Sequence, residues 1–127
     1  MILDHIGFTV SSAAASKQFF TAALAPLGIT VLMEEQGWTG MGKGGKPEFW
    51  FGEGGDGEKP PQGKMHIAFT AESRAQVRAF YEAALAAGAT DNGPPDIRAH
   101  YHPNYYGAFV IAPDGHNVEA VCHRAEG

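Results

Sequence analysis

Hydrophobic and polar positions alternate along short stretches of this chain and recur at helical spacing between them. From Leu3 to Val10 the residues Ile6, Phe8 and Val10 fall on one side, and His5, Gly7 and Thr9 on the other. Such a period of two, carried by β-formers, predicts a strand with unlike faces. Met65–Thr70 repeats the pattern: Met65, Ile67 and Phe69 oppose His66, Ala68 and Thr70. After each strand the spacing lengthens. Phe19, Ala23 and Leu24 share one face of a first predicted helix, with Ser11 or Ser12 as its N-cap. Val77, Phe80, Tyr81, Ala84 and Leu85 share one face of a second, capped by Ser73. Gly28 and Gly88 stand just past the helix ends, where a left-handed residue closes the last turn.

The resemblance between the two stretches is a true internal repeat. At an offset of 61 residues, His5, Ile6, Phe8, Thr9, Ser12, Ala14, Phe19, Ala22, Ala23, Leu24 and Ala25 recur without a gap. Three short strands complete each copy. They are expected at Thr30–Glu34, Trp38–Met41 and Glu48–Phe51 in the first copy. In the second they are expected at Ala89–Asp91, Tyr105–Ala112 and His116–His123. Pro113-Asp114-Gly115 makes the turn before the last strand, with Pro fixing φ and Gly taking the positive φ. The fold class expected is α+β: two βαβββ modules, residues 1–58 and 62–127, forming a curled mixed sheet around a cleft. Gly-rich Gly52–Gly63, with Lys59-Pro60-Pro61, reads as the linker.

Composition narrows the function classes. The chain has 127 residues, a single domain by size, with 44% apolar and 18% charged residues, which is ordinary for a globular fold. Net charge is −5 and no basic stripe exists, so nucleic acid is not an expected partner. A single cysteine, Cys122, excludes a disulfide framework and a thiolate-rich metal site. No basic n-region or long apolar run opens the chain, so neither signal peptide nor membrane span is expected, and the expected location is cytoplasmic.

The six histidines carry the candidate chemistry. By alternation His5 and His66 point away from the helices, and so does Glu119, whose neighbours Val118 and Ala120 face the helix side. Two imidazoles and a carboxylate on inward positions leave open coordination sites on a divalent metal for water and substrate. The segment His100-Tyr101-His102-Pro103-Asn104-Tyr105-Tyr106 gathers further acid–base and stacking groups beside the strand preceding Glu119. Only one of Tyr105 and Tyr106 can point inward. His102 and Tyr106 are taken as the catalytic candidates, and Trp38, Trp50, His100 and Tyr105 as substrate-binding candidates. His116 and Cys122 are expected on the helix side, and His123 at the periphery.

The segments His5-Ile-Gly-Phe-Thr-Val, His66-Ile-Ala-Phe and Asp114-Gly-His-Asn-Val-Glu119 resemble the signature segments of the vicinal oxygen chelate superfamily. That superfamily includes glyoxalase I, bleomycin-resistance proteins, fosfomycin-resistance transferases and extradiol dioxygenases. The resemblance implies paired βαβββ modules curled around a cleft, a homodimer, and a divalent metal (Zn, Fe(II), Mn or Ni) held by His5, His66 and Glu119. It implies a lyase, isomerase or dioxygenase acting on a small oxygen-bearing substrate; the alternative is a non-catalytic small-molecule or antibiotic-binding protein. The chain departs from glyoxalase I in placing Trp50 where a fourth ligand stands, with Glu48 two residues before it. It departs from the fosfomycin group in Gly7 and in having only Arg124 after Glu119.

Overall fold

The computed structural model describes residues 2–55, 59–61 and 65–125. Each copy of the repeat builds the same unit. The first runs β1 (Ile6–Thr9), α1 (Ala13–Leu24), β2 (Thr30–Glu35), β3 (Trp38–Gly42) and β4 (Phe49–Gly52). The second runs β5 (His66–Thr70), α2 (Arg74–Ala86), β6 (Thr90–Ile97), β7 (Tyr106–Ile111) and β8 (Asn117–Cys122). These form two four-stranded mixed sheets with matching orders, β1-β4-β3-β2 and β5-β8-β7-β6. In each, the first strand pairs in parallel with the last of its module, because the helix carries the chain across. Neither sheet closes into a barrel. Of the expected linker, residues 56–58 and 62–63 lie outside the described residues.

The helices start where the sequence places their caps. Ser12 and Ser73 have extended backbones, and their hydroxyls accept from the amides of Ala15 and Gln76, each at 3.1 Å. A 3-10 turn at Ala25–Leu27 extends α1, and Gly28 ends it at φ +80°. The apolar faces meet in one core. Phe19, Phe20, Ala23 and Leu24 of α1 and Val77, Phe80 and Ala84 of α2 are buried, together with Phe49, Phe51, Val118, Ala120 and Cys122 from the sheets. The helices touch each other, and Phe49 of β4 meets Phe69 of β5 edge-on at 5.2 Å. Neither module buries its helix alone, as is expected of units of about 60 residues.

Two strands differ from their sequence-based bounds by more than one residue at an end. β1 begins at Ile6, so His5 precedes the strand, although the amide of Ile6 donates to the carbonyl of Glu48 at 2.9 Å and fixes the register there. β6 runs to Ile97, through Gly93-Pro94-Pro95. Proline is tolerated because β6 is the edge strand, with no partner on its outer side among the described residues. Register shifts at Asp91/Gly93 and Gly93/Asp96 absorb the irregularity. Gly93, at φ +149°, takes a conformation that a side chain would strain, and its amide donates to Asp91 Oδ1 at 2.9 Å. Among the described residues no helix is long and apolar enough to cross a membrane.

Candidate functional site

The inner face of the first sheet is paved by its two tryptophans. β3 and β4 each carry Trp-x-Gly, as Trp38-Thr-Gly40 and Trp50-Phe-Gly52. Antiparallel pairing sets Trp38 opposite Gly52 and Gly40 opposite Trp50. Each indole therefore lies over the other strand's glycine. A Cβ at Gly40 would meet the Trp50 ring at 2.8 Å, and one at Gly52 would meet Trp38 at 2.7 Å. The glycines make room for flat rings, and the result is a half-buried aromatic floor. A cavity of about 640 Å³ stands on it, lined by His5, Gly7, Glu35, Trp38, Lys46 and Trp50.

The rim of this cavity is polar. Lys46 Nζ lies 3.0 Å from Asp4 Oδ1 and donates to the Asp4 carbonyl at 2.7 Å. His5 Nδ1 meets the same carboxylate at 2.7 Å. These bonds hold the Asp4 carboxyl below its usual range, chiefly through His5 and then through Lys46.

The inner face of the second sheet is built around Glu119. Register pairs Glu119 with Ala68 on β5 and with Phe109 on β7. In the first sheet Gly7, the repeat equivalent of Ala68, pairs with Trp50. Trp50 thus occupies the topological counterpart of Glu119, and the two inner faces differ in character, one aromatic and one ionisable. The Glu119 carboxylate is buried and both oxygens accept. The Tyr105 hydroxyl donates to Oε1 at 3.1 Å, and Asn117 Nδ2 donates to Oε2 at 2.5 Å. Asn92 Nδ2 donates in turn to Asn117 Oδ1 at 2.9 Å, which fixes the Asn117 amide with its NH₂ toward Glu119. Burial, and then the adjacent Glu119 charge, push the Tyr105 phenol up to about 12. The Tyr105 hydroxyl therefore keeps its proton and serves as a hydrogen-bond donor throughout the physiological range.

The loop between β6 and β7 is tied across its mouth, where the Arg98 amide donates to the Tyr105 carbonyl at 2.7 Å. Its rings form a chain of contacts. His100 lies 4.0 Å from Tyr101, Tyr101 lies 5.0 Å from Tyr105, and Tyr105 lies 5.3 Å from His123, which also meets His102 at 5.3 Å. His102 Nδ1 accepts from the Asn104 amide at 3.1 Å. Tyr106 lies on the opposite face, under the Arg74 guanidinium at 5.0 Å, and its hydroxyl is 3.5 Å from Arg78. Of the adjacent tyrosines, the one turned toward Glu119 is Tyr105. His123, expected at the periphery, is exposed but joins the aromatic chain.

The ligand trio is brought together only in part. His66 and Glu119 share the inner face of paired strands, two register positions apart. His5 and His66 both line a second cavity, of about 580 Å³, which Glu48 also borders. Glu119 does not line it. Among the described residues no three His, Cys, Asp or Glu stand close enough to hold a metal ion. The donor set therefore does not fit a three-ligand centre within one chain. His116 is buried on the helix side, its Nε2 donating to the Pro61 carbonyl at 2.8 Å, and Cys122 is buried in the core.

Three features escaped the sequence reading. Arg98 stacks on Phe109 at 4.9 Å, Asn117 braces Glu119, and Gly40 and Gly52 make the aromatic floor. The twice-used Trp-x-Gly was the available signal for the last; Arg98 and Asn117 carry no local signature.

The model of the Glyoxalase/Bleomycin resistance protein/Dioxygenase superfamily matches residues 2–120. Among solved structures, a glyoxalase/bleomycin resistance protein from Albidiferax ferrireducens T118 has 25% identity and a TM-score of 0.84, with 98% of this chain and 100% of that one covered. A glyoxalase/bleomycin resistance protein/dioxygenase family enzyme from Burkholderia phytofirmans PsJN has 17% identity and a TM-score of 0.72, with 95% and 98% covered. A glyoxalase-related enzyme from Fulvimarina pelagi has 18% identity and a TM-score of 0.71, with 94% and 86% covered. No curated protein matches the chain. With the family model spanning nearly the whole sequence, over a fold of two βαβββ modules, the chain belongs to the glyoxalase/bleomycin resistance protein/dioxygenase superfamily.

Proposed function

We propose that this chain binds a small, flat, oxygen-bearing organic molecule on the aromatic floor of its first sheet. The supporting observation is that both of its tryptophans, Trp38 and Trp50, lie over glycines on one face and line one cavity. An aromatic or conjugated ring stacks on such a floor, while Lys46 and His5 at the rim hydrogen-bond its oxygens. The chain has only two tryptophans, so their emission reports on this site alone. Titration with catechol and with acetophenone is expected to quench it saturably, and Trp50→Ala is expected to abolish the saturable part. Linear quenching by both probes in the wild type overturns the reading.

A second reading is a divalent-metal-dependent lyase, isomerase or dioxygenase, and it is favoured by His66 and Glu119 on one face of paired strands. A bound divalent ion would supply polarisation of a substrate oxygen. Because His5 does not join that pair within one chain, this reading requires the first sheet of a second copy to face the second sheet of the first. Metal content and homodimerisation then stand together. Elemental analysis of chelator-free protein, run beside light scattering, tests both. A stoichiometric ion in a dimer, lost in His66→Ala and in Glu119→Ala, is the expected result. A metal-free dimer that gains no thermal stability from Zn, Mn, Ni or Fe(II) leaves only the binding reading.

A further inference from the structure

The aromatic floor of the first sheet carries unlike charges at its two ends. Antiparallel register pairs Glu35 of β2 with Trp38 of β3. Directly opposed residues of such a pair project to one face, so the Glu35 carboxylate stands on the inner face beside Trp38. It is exposed, and it lines the same cavity of about 640 Å³ as Trp38, Trp50, Lys46 and His5. Its neighbour Glu34 projects to the helix side, where it meets Lys17 at 2.7 Å. Among the described residues no ion pair engages Glu35. Met33, paired with Gly40 on the same face and 44% exposed, continues the apolar floor on β2.

Lys46 and His5 stand at the other end. Glu35 lies next to the Gln36-Gly37 turn that leads into β3, and Lys46 lies in the connection that leaves it. The five residues of β3 between them rise about 13 Å. At the Lys46 end, Asp4 sets the donors and acceptors. Its carboxylate only accepts, so His5 Nδ1 carries the proton of their 2.7 Å bond, and Nε2 of the neutral ring is an acceptor. Lys46 directs two of its three N–H groups at Asp4 and keeps one. A hydroxyl suits this pair, accepting from Lys46 and donating to His5. A second carboxylate does not, because that of Asp4 already stands there. At the other end an acceptor-only anion borders the cavity beside an indole. That surrounding suits an ammonium, which Glu35 pairs and the face of Trp38 attracts.

We propose that Glu35 determines which ligand this site selects: a flat hydroxyaryl ring carrying an amine on a short aliphatic tail. The ring lies on Trp38 and Trp50, its hydroxyl meets Lys46 and His5, and its ammonium meets Glu35. The proposal rests on the binding reading of the tryptophan floor and adds to it the ligand's charge and direction.

The test is titration of the full chain with three phenols whose tails differ in charge, 4-hydroxyphenethylamine, 4-ethylphenol and 3-(4-hydroxyphenyl)propionate, read by tryptophan emission. At low salt the amine is expected to bind about three- to fivefold more tightly than 4-ethylphenol, which is what an exposed ion pair supplies, and the propionate more weakly than either. Added salt is expected to close the gap. Glu35→Gln is expected to bring the amine to the affinity of 4-ethylphenol while 4-ethylphenol itself binds as before; a merely structural role would weaken all three phenols alike. Glu35→Asp is expected to keep part of the preference, and Glu34→Gln, on the opposite face, all of it. Equal binding of the amine and 4-ethylphenol by the wild type overturns the proposal and leaves the floor standing. A preference that survives in folded Glu35→Gln, or that Glu34→Gln removes to the same extent, overturns it too. Absence of saturable quenching by both 4-ethylphenol and catechol fails the floor, and the proposal with it.

Discussion

The Tyr105 hydroxyl donates to Glu119 Oε1 across 3.1 Å, from a loop residue to the centre of the last strand. That bond determines which of two adjacent tyrosines faces the cleft. Gly107 permits it, because a Cβ there would sit 3.0 Å from the Tyr105 ring. With Asn117 on the other oxygen, Glu119 is oriented before any ligand arrives. The arrangement mirrors the first sheet, where glycines let rings lie flat. The same device, aromatic over glycine, shapes both inner faces.

Tyr105→Phe removes the donor and leaves the buried carboxylate with one partner. A hydrogen bond to a charged group contributes about 1.5–3 kcal/mol, and a loss of that order is expected in denaturant unfolding. The pH dependence has a definite sign. The folded phenol titrates at about 12, above the ordinary value of 10, so the native state holds its proton longer than the unfolded chain. Stability is therefore unaffected by this group below pH 10 and falls as pH rises from there toward 12. Tyr105→Phe should flatten that fall and delete the latest-titrating step from the phenolate absorbance curve. An unchanged curve would contradict the placement of Tyr105 against Glu119.

What could be read from the sequence was whatever depends on local period. β1, β5 and both helices follow from alternation and 3.6-residue spacing, and Ser12 and Ser73 from capping chemistry, all reinforced by the repeat. The sequence pattern ends this strand at Asp91, whereas β6 continues through Pro94-Pro95 to Ile97. Only the sheet order makes it an edge, where proline costs no ladder bond. The inward faces of His66 and Glu119 followed from alternation too. That Glu119 is already braced, and that His5 stands apart from it within one chain, depend on how the two sheets are placed, which no local pattern encodes. Arg98 carries no local pattern either: its contact with Phe109 depends on the path of the chain after β6.

Three glycines of the first module separate steric demand from mere abundance. Gly40→Ala puts a methyl into the Trp50 ring, 2.8 Å from its nearest atom, so the indole must lift from the floor. The expected cost is about 1–3 kcal/mol, with a shift in tryptophan emission and weakened catechol quenching. Gly42→Ala is expected to be worse, because its Cβ would collide with the backbone carbonyl of Lys46, which cannot rotate away as a side chain does. Gly45 has open space around it and no positive φ, so Gly45→Ala should change stability by less than about 0.5 kcal/mol. Thermal melts of the three variants check the order. If Gly40→Ala melts with wild-type emission and stability, Trp50 does not lie over Gly40.

His116 joins the two modules and the linker at one point. Its Nε2 donates to the Pro61 carbonyl at 2.8 Å, and its ring meets Phe8 of β1 edge-on at 5.4 Å. The turn just before it adds a third tie, since Asp114 Oδ2 accepts from the Ser11 amide at 3.0 Å. His116 is 4% exposed, so water does not replace a lost partner. His116→Phe keeps the ring against Phe8 and removes the donor, leaving the Pro61 carbonyl unpaired, at an expected cost of about 1–3 kcal/mol. His116→Gln restores an N–H donor without the ring and should recover part of that loss. His116→Ala loses both and should be the least stable, with the melting temperature lowered by several degrees per kcal/mol for a chain of this size. The order Phe above Gln would mean that the contact with Phe8 outweighs the bond to Pro61; the order Gln above Phe is expected, because an unpaired buried carbonyl costs more than the edge-on contact of two rings contributes.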